Sequence, residues 1–582
     1  MKRRLKLLLI DLSLIFICLS ILESTDAYYS VYLLIGILGA ICSYINYKKP
    51  IKKNWLEYTF SVLLATLITM ANYQIYESLP HLNEFTQALM SFLSALLVFA
   101  GSFIIFINIL SYAKTFIIKT NSKLAKSDRP IKIFLFYFVV FFFIDLTIFL
   151  LCYFPGNLTS DSIDEIGQLL SNTYTNHHPF YFTLLIKFFV SIGIRWFSSI
   201  NVGVALFSIF QIMVLSSAFS YSLLTLRQIG VSKKIILTTL VILAIMPYNI
   251  IYSFTVWKDI LFAAFFLIFI VSIYRYLHKL TNHKKSLLFL ITLCGIILCL
   301  FRSNAWIAFG IATIIFFIIF KKKYLSLGFI FCAIIGVSFI LKNPVLKILS
   351  IPQPDIIESL SIPTQQIART LSESKDTIST NDLSLIDKLA DSEEIIKAYS
   401  PIIHDPIKKV IRSKGTVKNI SEHKAEYLLL YLRLGLTHPA QYLKAWIDQT
   451  KGYWNAGYNY WRWSEEIAAN NYGIERHIIS NEIKSAFSSY LFIFENTNFL
   501  TPFISIGIAV WLLIILLYVN IIRKNETIII FIIFILATWG TLLIATPVFS
   551  EFRYIYFLFT CLPFLTIVTL INNKRKVTNE KR

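Results

Sequence analysis

A bilayer core about 30 Å thick admits only chain whose backbone polar groups are paired internally. For a single segment that means a helix of roughly 20 apolar residues. This sequence repeats that element from end to end. Fourteen apolar runs are read as spans: 7–22, 30–47, 55–76, 86–112, 133–154, 202–226, 235–252, 260–274, 286–301, 305–320, 324–341, 502–522, 528–545 and 554–571. They predict an all-α polytopic membrane protein. Hydrophobic residues make up 56% of the 582 and the mean hydropathy is +0.67, well above soluble usage. The first run lacks a small-residue cleavage site and another run follows at once, so it reads as a retained helix rather than a signal peptide.

A further apolar run, Phe180 to Phe197, is ambiguous, and loop charge decides how to read it. With Met1-Lys-Arg-Arg placed in the cytoplasm, the loops 48–54 and 114–132 also fall inside, and the stretch after span 133–154 falls outside. If 180–197 does not cross, cytoplasmic loops and tails hold 31 Lys and Arg, against five in the short external loops plus 180–197 itself. If it crosses, every later basic loop, including the tail Lys574-Arg575-Lys576, moves outside. The positive-inside rule therefore predicts that 180–197 lies along the outer surface, with Lys187 and Arg195 on its polar side. Both termini are then cytoplasmic.

The same reading explains the net charge of +21 without nucleic acid. The large polar segment 342–497 is neutral, with 18 Lys and Arg against 18 Asp and Glu, and the excess lies in the cytoplasmic loops. All seven cysteines fall in or beside apolar runs, so neither a disulfide framework nor a thiolate metal site is indicated. The expected domains are an N-terminal four-span module (1–130), a transmembrane core with an acidic external loop (131–341, loop 155–201), an external and mainly helical domain (342–497), and a three-span C-terminal segment with a basic tail (498–582). Within the external domain, 384–399 and 440–453 show apolar residues at helical spacing, the second after His438-Pro439.

Chemistry concentrates in the acidic loop. In DSIDEIGQLL, Ile163, Ile166, Leu169 and Leu170 predict an apolar helix face, with Asp161, Asp164, Glu165 and Gln168 opposite. Ser162 and Glu165 match a capping box, which makes Glu165 a cap and Asp161 the favoured general base, with Asp164 the second catalytic candidate. His177 and His178 beside three carboxylates form a candidate site for a divalent cation (Mg or Mn), but no ligand spacing is diagnostic and a structural or substrate hydrogen-bonding role is favoured. Lys258, Asp259, Arg302 and Arg553 lie in other external segments, and their cations suit phosphate oxygens. Glu551 is placed to orient Arg553. Six aromatics fill 451–463, of which Tyr453, Trp454 and Trp461 are candidate sugar-stacking residues, with placement at the membrane interface the equal alternative. Asp145, within a span, reads as an interhelical hydrogen-bonding group.

These short motifs resemble the GT-C superfamily of membrane glycosyltransferases, which includes protein O-mannosyltransferases, oligosaccharyltransferases and aminoarabinose transferases. A span is followed by external acids (Asp161, Asp164, Glu165) and then by His178-Pro179-Phe180-Tyr181, similar to an HPP-type segment. A second external acid follows (Asp259), and later an Arg-Tyr at a span start (Arg553-Tyr554). PGNLTSDSIDEIGQ, NHHPFYFT, VWKDILF, SIPTQQIART, HPAQYLKAWIDQTKGYW and TPVFSEFRYIY also look like stretches of a group of large bacterial membrane proteins without an assigned activity. The chain departs from GT-C in lacking a clean D-x-D or W-W-D-Y-G motif, and its first four spans lie outside the GT-C core.

The resemblance implies a GT-C-like helical bundle and an inverting transfer of sugar from a polyprenyl-phosphate donor. The implied acceptor is a glycan or teichoic-acid-like cell-surface polymer on the outer face, and the Lys- and Asn/Ile-rich usage of the chain points to a Gram-positive plasma membrane. The alternatives are a transporter or flippase of a lipid-linked precursor and a non-catalytic scaffold of the same architecture. Few charges lie within spans and no half-repeat is visible, which favours the enzyme over a transporter.

Overall fold

The computed structural model describes residues 2–23, 29–78, 83–118, 129–456 and 461–571. Most of the basic loop 114–132, residues 457–460 of the aromatic stretch and the basic tail from 572 lie outside the described residues. The chain is helical throughout, and among the described residues the only β contacts are isolated bridges. An N-terminal group contains α1 (Lys2–Leu22), α2 (Tyr29–Lys48), α3 (Trp55–Ala71), α4 (Tyr73–Glu77) and α5 (Glu84–Ala113). Then come α6 (Pro130–Ile148), α7 (Ser160–Ser171), α8 (Phe180–Phe197), α9 (Ile200–Gln228), α10 (Lys233–Ile245), α11 (Pro247–Ser253), α12 (Lys258–Leu277), α13 (Lys284–Phe301), α14 (Ala305–Phe320) and α15 (Leu325–Ile340).

The polar segment builds α16 (Leu346–Ile348), α17 (Ser361–Ser374), α18 (Thr380–Asp387), α19 (Ser392–Ala398), α20 (Asp405–Ser413), α21 (Val417–Glu422), α22 (Lys424–Thr437), α23 (Pro439–Thr450) and α24 (Asn481–Asn496). The chain returns through α25 (Ile506–Ile522), α26 (Glu526–Ala545) and α27 (Phe552–Leu570).

This is an all-α polytopic membrane protein. Among the described residues, eleven helices are long and apolar enough to cross a bilayer, α8 among them. The pair α10–α11, bent by 58°, makes up to twelve, and α3, α14 and α25 are shorter apolar helices. The bend falls at Met246-Pro247, where proline supplies no N–H and its ring excludes the preceding turn. Helix starts follow ordinary capping. Ser199, Ser232 and Ser505 accept from the backbone N–H three residues on, and Asn83 with Thr86 forms a reciprocal capping box.

Contacts show how α8 lies relative to the spans. The Ser208 hydroxyl, near the start of α9, donates to the Pro155 carbonyl just beyond α6. Gln211 donates to the carbonyls of Tyr252, Ser253 and Thr255, just before α12. At its other end α9 meets the end of α12, where Arg275 donates to Thr225 and Gln228. So α9 traverses the bundle, starting at the end where α6 stops and α12 begins, here termed the site end. Both ends of α8 lie at that same end. The Tyr181 hydroxyl donates to the Leu341 carbonyl, and the Phe182 ring lies 5.5 Å from that of Phe301, the last residue of α13. At the other end of α8, Val190 packs against the first turn of α9 so closely that a Cβ on Gly203 would lie 2.6 Å from the Val190 Cα.

Four hydrophobic clusters hold the described residues, the smallest joining Leu110, Tyr518 and Val519. The largest joins the spans of the bundle. A second packs Ile163, Ile166 and Leu169 of α7 against Phe182 and Ile186 of α8 and Phe207 of α9. A third, from Ile357 to Tyr442, gives the polar segment a core of its own, whereas Ile447, Tyr453 and Trp454 belong to the bundle cluster. The single helical run read at 384–399 is divided. Asp387 accepts from the Ser392 N–H and Asp391 from the Glu393 N–H, local bonds that compete with helix continuation. The helix after His438 starts as expected, with Pro439 in its first turn.

The polar domain is tied to both chain segments that form the site. The Asn176 N–H donates to the Pro352 carbonyl, the His404 N–H to Pro547, and the Phe549 N–H to Ile402.

Candidate functional site

The site is assembled from helix ends, where side chains project past the apolar layer and unpaired backbone groups collect. Two backbone bonds, Asn157 N–H to Phe254 and Val256 N–H to Asn157, register the start of α7 against the start of α12. The Ser162 hydroxyl strengthens this by donating to the Val256 carbonyl at 2.6 Å. Trp257 is buried, and its indole N–H donates to the Thr159 hydroxyl. Thr159 therefore precedes α7 without capping it through its side chain.

This register corrects the role given to Glu165. The capping box read at Ser162 does not form, because the helix already starts at Ser160 and Ser162 is engaged with α12. Glu165 is buried with Ser162, Ile166 and Leu169, whereas Leu170, expected on the apolar face, is exposed. The inward face of α7 is rotated toward Glu165.

Around Glu165 the predicted residues converge. His178 Nδ1 lies 3.9 Å from its carboxylate and 3.4 Å from Lys258 Nζ. Asp161, one turn earlier and part-exposed, receives the Arg553 guanidinium at 2.8 Å. Arg553 also meets Glu551 and lies over the rings of Trp257, Tyr554 and Trp461. Asp259 and Arg302 form a second buried pair, with Nε to Oδ1 at 3.4 Å, while Arg302 donates to the Tyr554 carbonyl. Neither Asp259 oxygen has a hydrogen-bond donor among the described residues. Lys258 makes no ion pair among them.

The environments drive Asp161 and Glu165 in opposite directions. For Asp161, burial alone raises the pKa, but the charges of Arg553 and Lys258 outweigh it and hold the group well below the usual carboxylate range. For Glu165, burial dominates and pushes the carboxyl up to about 8, with Lys258 opposing. Burial and the nearby Lys258 charge lower His178 to about 3, so its imidazole is neutral. At pH 7 the site thus holds an ionised Asp161 beside a protonated Glu165, a separation typical of paired acid and base roles.

A polar cleft of about 350 Å³ opens beside this cluster, lined in part by Asp164, Gln168, Thr175, His177, His178 and Tyr472. Asp164 faces the cleft rather than the ion pairs, and burial and the Asp161 charge raise its pKa. His177 points away from His178's partners toward Glu358, at 3.8 Å.

Residues 170–582, more than two thirds of the chain, match a family of unknown function, DUF6020. The chain belongs to this family. No curated protein and no solved structure matches it. The DUF6020 region contains His177, His178, Lys258, Asp259, Arg302 and Arg553, whereas Asp161, Asp164 and Glu165 stand just before its first residue.

Two of the candidate sugar-stacking aromatics are placed elsewhere. Tyr453 and Trp454 are fully buried. The Tyr453 hydroxyl donates to Val548 and accepts from Thr546 and the Glu551 N–H, and Trp454 stacks on Trp446. Neither has a face left for a ligand, but Tyr453 holds the 546–551 loop that presents Arg553. Trp461 does reach the cluster, with its ring 5.4 Å from Trp257. Asp145 is buried within the bundle. Sequence reasoning missed Lys342, whose ammonium binds the carbonyls of Cys299, Arg302 and Ser303 and so closes the end of α13 beneath Arg302. A cation near a helix C-terminus is the signal that would have found it.

The donor set does not suit a divalent ion. Asp161 faces Arg553, Asp259 faces Arg302, and Glu165 faces His178. Among the described residues no three His, Cys, Asp or Glu side chains are grouped as ligands.

Proposed function

We propose that the chain is a GT-C-type membrane glycosyltransferase, moving a sugar from a polyprenyl-phosphate donor to a glycan or teichoic-acid-like polymer on the outer face of a bacterial plasma membrane. The observation that carries this reading is the convergence of Asp161, Lys258, Asp259, Arg302 and Arg553 from α7, α12, α13 and α27 at one end of a lipid-facing bundle. The loop charge asymmetry supports the outward orientation of that end, fourteen spans and cytoplasmic termini.

In an inverting transfer the acceptor hydroxyl oxygen attacks the anomeric carbon. The bond from that carbon to the phosphate oxygen breaks, and its electron pair stays on the phosphate. Asp161, ionised and more open than Glu165, takes the hydroxyl proton. Lys258, without a carboxylate partner, meets the phosphate charge as it develops, and Arg302 and Arg553 add to the positive field. Asp259, buried against the Arg302 guanidinium, holds that cation in place.

Transport of a lipid-linked precursor is the second reading, favoured by the break between α10 and α11. The polar groups at that break are internally satisfied, however. Asn249 binds the Leu243 carbonyl and the Tyr556 hydroxyl, which leaves no site for cargo there. The test is the sugar composition of surface polymer from cells carrying wild type or Asp161→Asn. The variant, folded and inserted, is expected to lack one sugar. Unchanged composition would remove Asp161 from the mechanism, and an accumulated lipid-linked sugar on the cytoplasmic leaflet would favour transport.

A further inference from the structure

Helix α22 is apolar on two opposite faces. Leu430 and Leu434 are buried in the polar domain's own core. On the other side Leu428, Leu429, Leu432 and Leu436 are 57%, 55%, 49% and 83% exposed. Leu443, at the start of the next helix, is likewise exposed. A helix apolar all round needs an apolar medium on each face, and a run of leucines this long is more than the scattered surface hydrophobics of a water-facing domain.

Named contacts connect this stripe to the lipid-facing surface. Lys444, adjacent to Leu443, pairs with Glu77 at the end of α4 at 2.7 Å. Asp448, one turn further, accepts from the Tyr73 hydroxyl. The Glu77 carbonyl in turn accepts from Gln87 in the first turns of α5. Phe85, Leu89 and Phe92, on those same turns, are exposed where the long apolar α5 enters the bundle. The α22–α23 corner therefore sits where the apolar belt of the N-terminal helices begins.

We propose that the outer face of α22 rests in the interfacial layer of the bilayer, so that the polar domain stands on the membrane as well as on the bundle. The leucines enter the acyl boundary, while the polar residues at its ends, Lys424 and Thr437, stay at headgroup level. Since the same domain binds the Pro547–Phe549 segment, this foot sets the height of the Arg553 loop above the lipid. The proposal stands whether the site transfers sugar or moves it.

The test uses the full chain in nanodiscs of phosphatidylcholine and phosphatidylglycerol. Leu432→Cys carries a bimane label in a Cys332→Ser background, Cys332 being the exposed cysteine. Leu436→Cys serves as a second position, its side chain being the most exposed of the four. The expected result is a blue-shifted emission, quenched several-fold more by lipids brominated near the headgroup than by aqueous iodide. Stronger quenching by iodide would place the stripe in water and overturn the proposal. So would protection from both quenchers, or a disulfide-linked dimer through either cysteine, since each means that protein covers the stripe.

Discussion

Replacing Glu165 with glutamine isolates the electrostatics of the site from its shape. The glutamine mimics the protonated acid, which the buried environment favours. Relative to an unfolded value near 4.5, the folded carboxyl titrates at about 8. A carboxyl raised in the folded state gives its full stability below 4.5 and loses it as pH rises toward 8, because only the unfolded chain has released the proton there. At ~1.36 kcal/mol per pH unit, the loss between pH 6.5 and 8 amounts to roughly 2 kcal/mol.

That window avoids two opposing groups. His178, lowered to about 3, has already contributed fully above its ordinary 6.5, and Asp161 titrates far below it. The assay is thermal unfolding in detergent of wild type and Glu165→Gln at several pH values from 5 to 8.5. The variant should gain on wild type as pH rises, by about 2 kcal/mol across the upper window, and the two should converge toward pH 4.5. Parallel profiles would refute the burial argument, and a variant that loses ground at high pH would mean that Glu165 is ionised and paired.

Arg553→Ala leaves Asp161 and Glu551 without their shared cation and should cost about 3–5 kcal/mol in unfolding experiments, while Arg553→Lys recovers only part of this. Lys258→Met should fold normally, and a transfer assay should show donor affinity weakened more than tenfold, since no ion pair of the native state is lost; a kcat change alone would reassign Lys258. Gly203→Leu should destabilise by at least about 1–3 kcal/mol because its side chain must displace Val190, whereas Gly310→Ala, in the interior of α14 with open space around it, should stabilise by about 0.5–1 kcal/mol and raise Tm. Asp448→Asn should release Arg369, Lys451 and Tyr73 together, measured as protease sensitivity of the polar domain at a temperature where wild type resists.

The amino-acid sequence by itself determined that the chain is a helical membrane protein, where the apolar segments run, and which polar stretches could hold chemistry. Apolar run length is a local property, and bilayer thickness converts it directly into helices. Loop charge also predicted that Phe180–Phe197 stays at one surface, and the contacts of Tyr181, Phe182 and Val190 put both ends of that helix at one end of the bundle. Only the tertiary structure decided the rest. The pairing of Asp161 with Arg553 joins residues 392 positions apart, and no local pattern encodes such a contact. The inward turn of Glu165 depends on Ser162 meeting a carbonyl of the neighbouring segment. The burial of Tyr453 follows from how the 546–551 loop closes over it, and Trp454 stacks on Trp446. Periodicity reports which face of a helix is apolar; which charge sits opposite a given carboxylate, and hence whether it is ionised, is set when separate helix ends pack together.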